Sequence, residues 1–168
     1  MKTVYFIRHA ESEGNARGIL TGQLDLPLTP AGEADAREAS EHWQRINPEI
    51  VYCSALQRTQ QTAKLIFPQH IAKTDTRLNE RHYGLWQGRL KSELRQLQLY
   101  ECSTADELRD SCTVPSGEDW HSIERRVSNF LCEISSIEAA PIICVCHQGV
   151  LRFVSQLLYK QGAVSIVP

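Results

Sequence analysis

The sequence predicts an α/β fold: a three-layer sandwich with a mostly parallel central sheet, helices on both faces and a small helical cap. Three observations carry this. Short apolar runs at Thr3–Ile7, Glu49–Cys53 and Ile142–Cys146 alternate with longer helix-like stretches, the pattern of strands joined by crossover helices. Residues 75–115 break that alternation and look largely helical, which reads as an insert. The 168 residues, 42% hydrophobic and 23% charged, suit one domain spanning 1–168 with a cap insert at about 75–115. A chain of this length can bury about 70% of its unfolded surface.

Thr3–Ile7 reads as a central strand, and residues 8–28 as mostly loop, punctuated by Gly14, Gly18 and Gly22. Thr29 is a fitting N-cap and Pro30 a fitting first residue for a helix that runs to about Ile46, before Pro48. Glu49–Cys53 is a second strand. A helix from about Leu56 to Phe67 follows and is stopped by Pro68; His70–Lys73 is a short third strand. Within the insert, Leu90–Tyr100 and Ala105–Cys112 are expected to be helical. Ser116-Gly117-Glu118 opens a long helix to about Ile137. Ile142–Cys146 is apolar throughout, as a buried strand should be. Val150–Tyr159 is a helix and Ala163–Val167 a last extended segment.

Net charge is −2, so no global basic field suits nucleic acid. No run reaches the roughly 18 to 20 apolar residues of a membrane span. The N-terminus is too short for a signal peptide before the first motif, and a cytoplasmic location is expected. The six cysteines then read as reduced thiols. Cys144-Val145-Cys146 lacks paired metal-ligand spacing, and its two thiols are expected on opposite faces of the strand. No metal and no cofactor are expected.

Polar residues cluster at the predicted carboxyl ends of three strands, where α/β sheets bind ligands. Arg8-His9 follows the first strand, Ser54 and Arg58 the second, and His147 the strand Ile142–Cys146. Arginine binds two phosphoryl oxygens at once and stays charged. A histidine with one ring nitrogen hydrogen-bonded can attack phosphorus through the other. Arg8, His9, Arg58 and His147 thus converge on one sheet edge, where they could hold an anionic group. Asn15 can donate its amide to a phosphate oxygen, and Glu11 is expected to orient or balance charge near the pocket. His42, His70, His82 and His121 lack such company and read as ordinary histidines. Trp43, Trp86 and Trp120 read as packing residues, with Trp86 also a candidate for the pocket wall.

Arg8-His9-Ala10-Glu11-Ser12-Glu13-Gly14-Asn15 resembles the signature of the histidine phosphatase superfamily, also called phosphoglycerate-mutase-like. Leu78-Asn79-Glu80-Arg81-His82-Tyr83-Gly84 with Gly88 resembles its second signature. Leu28–Gly32, Ser54–Ala63, Gly117-Glu118 and Cys146-His147-Gln148-Gly149 extend the likeness along nearly the whole chain. Ala10 and Gln148 depart from it, since glycine is usual at both positions. The resemblance implies a phosphohistidine at His9, pocket residues Arg8, Arg58 and His147, and Glu80 as proton donor to the leaving group. It also implies substrate contacts from Asn15, Thr21, Gly22 and Gln148, and a small phosphorylated metabolite as partner.

The stretch Asn79–Gly84 with Lys91 is similar to cofactor-dependent phosphoglycerate mutases, in which counterparts of Tyr83 and Lys91 touch substrate. The short segment Ser92–Pro115, its separated Arg95 and Arg109, and the end at Pro168 without a covering tail point instead to hydrolysis. In size the chain looks like small bacterial phosphatases such as alpha-ribazole phosphatase. Hydrolysis of a phosphate monoester is the expectation; mutase-type transfer and a non-catalytic phospholigand or partner binder are the alternatives. The sequence leaves the oligomeric state open.

Overall fold

A computed structural model describes residues 3–97 and 114–160. The helix expected at Ala105–Cys112 and the segment expected at Ala163–Val167 lie outside them. Strands β1 (Val4–Arg8), β2 (Ile50–Cys53), β3 (Lys73–Thr74) and β4 (Ile142–Cys146) form a parallel sheet in the order β1-β4-β2-β3. The helices are α1 (Glu13–Ala16), α2 (Pro30–Gln44), α3 (Gln57–Ile66), α4 (Lys91–Gln96), α5 (Trp120–Ser136) and α6 (Gln148–Lys160).

β4 lies between β1 and β2, and all five of its residues are buried. Its alternate side chains feed two core layers, because successive residues of a strand face opposite sides. Ile143 and Val145 pack with Ile7, Val51, Ala36, Ala63, Ile66 and Phe67, which places α2 and α3 on one face. Ile142, Cys144 and Cys146 pack with Val127, Phe130, Val150 and Phe153, which places α5 and α6 on the other. The three-layer α/β arrangement is thus as expected. The two thiols are not on opposite faces: Cys144 and Cys146 share one core cluster, since residues two apart on a strand point the same way.

Other boundaries shift for local reasons. Residues 8–28 hold a short helix, α1, because Ser12 and Asn15 cap each other reciprocally. The third strand starts at Lys73, not His70; the His70 N–H closes a turn onto Phe67 O at 3.0 Å and Ile71 is exposed. α5 starts at Trp120 rather than Ser116. Ser116 has φ 57°, which no helix accepts, and Asp119 caps the helix by accepting from the Ser122 N–H. α6 begins two residues early, directly after His147. In the insert, single 3₁₀ turns at Thr76–Leu78 and Gly84–Trp86 precede α4. Trp86 is buried with Leu20, Leu94 and Val114 and holds this region to the body.

Candidate active site

The sheet register explains why the distant motifs meet. Arg8 is opposite Cys146, so His9 and His147 leave neighbouring strands side by side, and the His9 N–H donates to Cys146 O at 3.0 Å. Cys53 is opposite Val145, and the Ser54 N–H donates to Val145 O at 3.1 Å. The connections β1 to β2 and β2 to β3 cross one face and the return to β4 crosses the other, which opens a crevice at these carboxyl ends.

His9 is buried, and its Nδ1 contacts Ala10 O at 2.7 Å. A carbonyl only accepts, so Nδ1 carries the proton and Nε2 the lone pair. The Arg58 Nε–H donates to that Nε2 at 3.3 Å. Burial, then the charges of Arg58 and Arg8, pull the His9 imidazole down to about 4, against the opposing pull of the Ala10 carbonyl. It is a neutral base with its lone pair against the Arg58 guanidinium. Arg58 is almost fully buried on α3, and the carbonyls of Gly22 and Leu24 hold its other nitrogens at 2.7 and 2.9 Å. His147 is fully buried, with its ring centroid 5.0 Å from that of His9. Burial first, and then Arg58 and other cations, hold its imidazole well below the ordinary value.

Glu80 comes from the loop after the first 3₁₀ turn. Its Oε1 accepts from the Arg81 N–H at 2.8 Å, and its Oε2 accepts from the Gly149 N–H at 3.1 Å. Arg126 of α5 clamps this loop, donating to the carbonyls of Arg77 and Asn79 at 2.6 and 2.7 Å while pairing with Glu118 at 2.6 Å. Gln23 Nε2 donates to Glu80 O at 2.8 Å. A Cβ at Gly149 would overlap Glu80 Oε1, so a larger residue there must push the carboxylate aside.

A cavity of about 230 Å³ collects Arg8, His9, Asn15, Thr21, Gly22, Arg58, Glu80, Tyr83, Lys91 and Gln148, every site residue expected from the sequence except His147. His147 is not among the lining residues; its ring packs beside that of His9 at a tilt of 60°. Asn15 Oδ1 accepts from Ser12, which leaves its amide nitrogen for a ligand. Glu11 is not at the site: it accepts from the Thr29 hydroxyl at 2.7 Å and steadies the start of α2. The wall carries Trp120 rather than Trp86, together with Ser12, Leu20, Ile123 and Gly149. Arg95, which the sequence set aside as one of two separated arginines, also lines the cavity, as do Arg81 and Arg152, to which the sequence assigned no role. The cue for Arg152 was its spacing, five residues after His147 on the helix that starts at the site. Burial and repulsion from Arg8 and Arg95 lower the Lys91 ammonium from its ordinary value, with Glu80 opposing.

Residues 4–164 match the family model of the histidine phosphatase superfamily (branch 1). The chain belongs to that superfamily. An adenosylcobalamin/alpha-ribazole phosphatase of Salmonella typhimurium is 29% identical over 171 residues, covering 97% of this chain and 82% of that protein. A 2,3-bisphosphoglycerate-dependent phosphoglycerate mutase of Rhizobium etli is 32% identical over 170 residues, covering 93% and 79%. A solved mycobacterial glucosyl-3-phosphoglycerate phosphatase superposes with TM-score 0.83 at 25% identity, covering 95% of this chain and 83% of its own. The α/β fold of the superfamily and its enzymatic character thus extend to this chain.

Proposed function

We propose that the chain hydrolyses small phosphate monoesters through a phosphohistidine at His9. The observation that carries this is the state of His9: Nδ1 tied to a carbonyl, Nε2 unprotonated, and Arg58 beside it inside a cationic cavity. The lone pair of Nε2 attacks phosphorus in line with the leaving oxygen. Arg8 and Arg58 stabilise the equatorial oxygens, assisted by the Asn15 amide and the start of α6 at Gln148. Glu80 gives its proton to the leaving alkoxide. It then takes one from the water that cleaves the phosphohistidine. Thr21, Gly22, Tyr83 and Lys91 hold the rest of the substrate. Phosphatases among the similar proteins support hydrolysis.

Labelled substrate followed by an alkaline quench should trap phosphate on the wild-type protein and none on His9→Ala. Label retained by His9→Ala removes His9 from the nucleophile role. The guanidinium charge here replaces what a divalent ion would bring, so turnover should survive EDTA. Activity lost to EDTA and restored by a metal ion overturns that. Residues 1–168 are read as one domain, with the insert at about 75–115 contributing Tyr83, Lys91 and Arg95 to the cavity wall. A cytoplasmic setting is supported by Cys53, Cys132, Cys144 and Cys146, which are free thiols. No helix among the described residues is long and apolar enough to cross a membrane.

Mutase-type transfer is the second reading, favoured by Tyr83 and Lys91 at the cavity and by the Rhizobium etli relative. 3-Phosphoglycerate with trace 2,3-bisphosphoglycerate separates the two: isomerisation supports a mutase, and release of inorganic phosphate supports a phosphatase.

A further inference from the structure

Next to His147 lies a pair of buried hydroxyls that the reaction above does not use. Ser54 Oγ is 2.8 Å from His147 Nε2 and 2.7 Å from Thr59 Oγ1, and it accepts from the Leu56 N–H at 3.2 Å. Thr59 Oγ1 is in turn 2.7 Å from Leu56 O. All three of these side chains are fully buried. Two oxygens at 2.7 Å need a proton between them. Leu56 O has none, so the Thr59 hydroxyl proton goes there. The contact between Ser54 and Thr59 then takes the Ser54 proton, and Ser54 Oγ is left only to accept. The ring therefore donates: His147 is protonated at Nε2. Its Nδ1 is a bare acceptor, buried and without a hydrogen-bond partner.

We infer that Ser54 and Thr59 are positioning residues that lock His147 in the Nε2–H tautomer, so that binding of a tetrahedral oxyanion brings one proton onto His147 Nδ1. This rests on the proposed function, in which the phosphoryl group sits against His9, whose ring centroid is 5.0 Å from that of His147. The step balances simply: one proton leaves solvent and bonds to Nδ1, His147 becomes an imidazolium, and no other bond breaks. The charged and titratable groups bearing on the ring are Arg58 of α3, Arg8 at the end of β1, His9 just after it and Arg126 of α5, with Glu80 held on the nearby Gly149 amide. Cations surround the empty site and oppose a proton there. A bound dianion beside His9 reverses that field and favours the proton on Nδ1.

Sulfate is the probe, because it carries no proton of its own near neutral pH. In ¹⁵N-histidine spectra of the ligand-free protein, His147 should show Nε2 protonated and Nδ1 bare. Sulfate should protonate Nδ1, and titration calorimetry in buffers of differing ionisation enthalpy should show uptake of about one proton. Ser54→Ala and Thr59→Val should shift the tautomer and lower kcat about 10-fold or more, as loss of an orienting partner does for metal-ligating histidines. Thr59→Ser keeps the hydroxyl and should restore both. A ligand-free spectrum with Nδ1 protonated, or a Ser54→Ala spectrum like wild type, overturns the inference. The expected spectra in a protein without phosphate-ester hydrolysis would overturn the proposed function and leave the tautomer lock standing.

Discussion

The chemistry of His9 depends on two contacts of opposite kind. The Ala10 carbonyl fixes which nitrogen holds the proton, and burial beside Arg58 keeps the other one bare. A second consequence is a pH dependence of stability. The folded His9 titrates at about 4 and the unfolded residue near 6.5, so between these values the unfolded chain binds more protons. Stability should therefore fall as pH drops from 6.5 toward 4, by about 3 kcal/mol from this residue alone. Buried His147 adds a loss of the same sign. Thermal melts from pH 7 to pH 4 should show the decline, with a shallower slope in His9→Gln. Glu80 invites a test of its own. Glu80→Gln should slow the phosphorylation burst strongly for alkyl esters and much less for p-nitrophenyl phosphate, whose phenolate leaves without a proton. Equal losses for both ester types would remove Glu80 from the acid role.

At the scale of elements, the carboxylate is only as well placed as the loop that carries it. Arg126 on α5 joins Arg77 O, Asn79 O and Glu118, while Asn79 Oδ1 accepts from the Ala55 N–H at 3.0 Å. Arg126→Met should loosen this loop. The expected result is a fall in kcat of about 10-fold or more with little change in KM. Folding should lose about 1–3 kcal/mol, because buried carbonyls lose their donor. Gly149→Ala attacks the same carboxylate from α6 by displacing Glu80 Oε1, and should lower kcat without touching His9 phosphorylation by activated aryl esters. Such dependencies were invisible in the sequence. Arg126 lies 46 residues from Glu80, and nothing in the periodicity of α5 marks it as other than a solvated position.

For the whole molecule, a chain of net charge −2 presents a cavity lined by Arg8, Arg58, Arg81, Lys91, Arg95 and Arg152 against one carboxylate, Glu80. Charge is thus concentrated where an anion must enter. Rising ionic strength should lower kcat/KM for a dianionic ester by about 10-fold or more, and Arg152→Gln should flatten that dependence. A salt-independent kcat/KM would show that the cavity field does not steer substrate.

Three of the four described strands, most helix bounds and the polar groups at the strand ends could be read from the chain alone. Those follow from apolar runs, cap residues and strand-end polar pairs such as Arg8-His9, all of which are local. Folding alone set the register that puts His9 beside His147, and the tautomers that follow from Ala10 O and Ser54. It also decided the placement of Glu11 outside the cavity, and of Trp120, Arg95 and Arg152 within it. The physical reason is range. Periodicity and capping act over a few residues, whereas a proton's position or a cavity wall depends on atoms brought together from segments tens of residues apart.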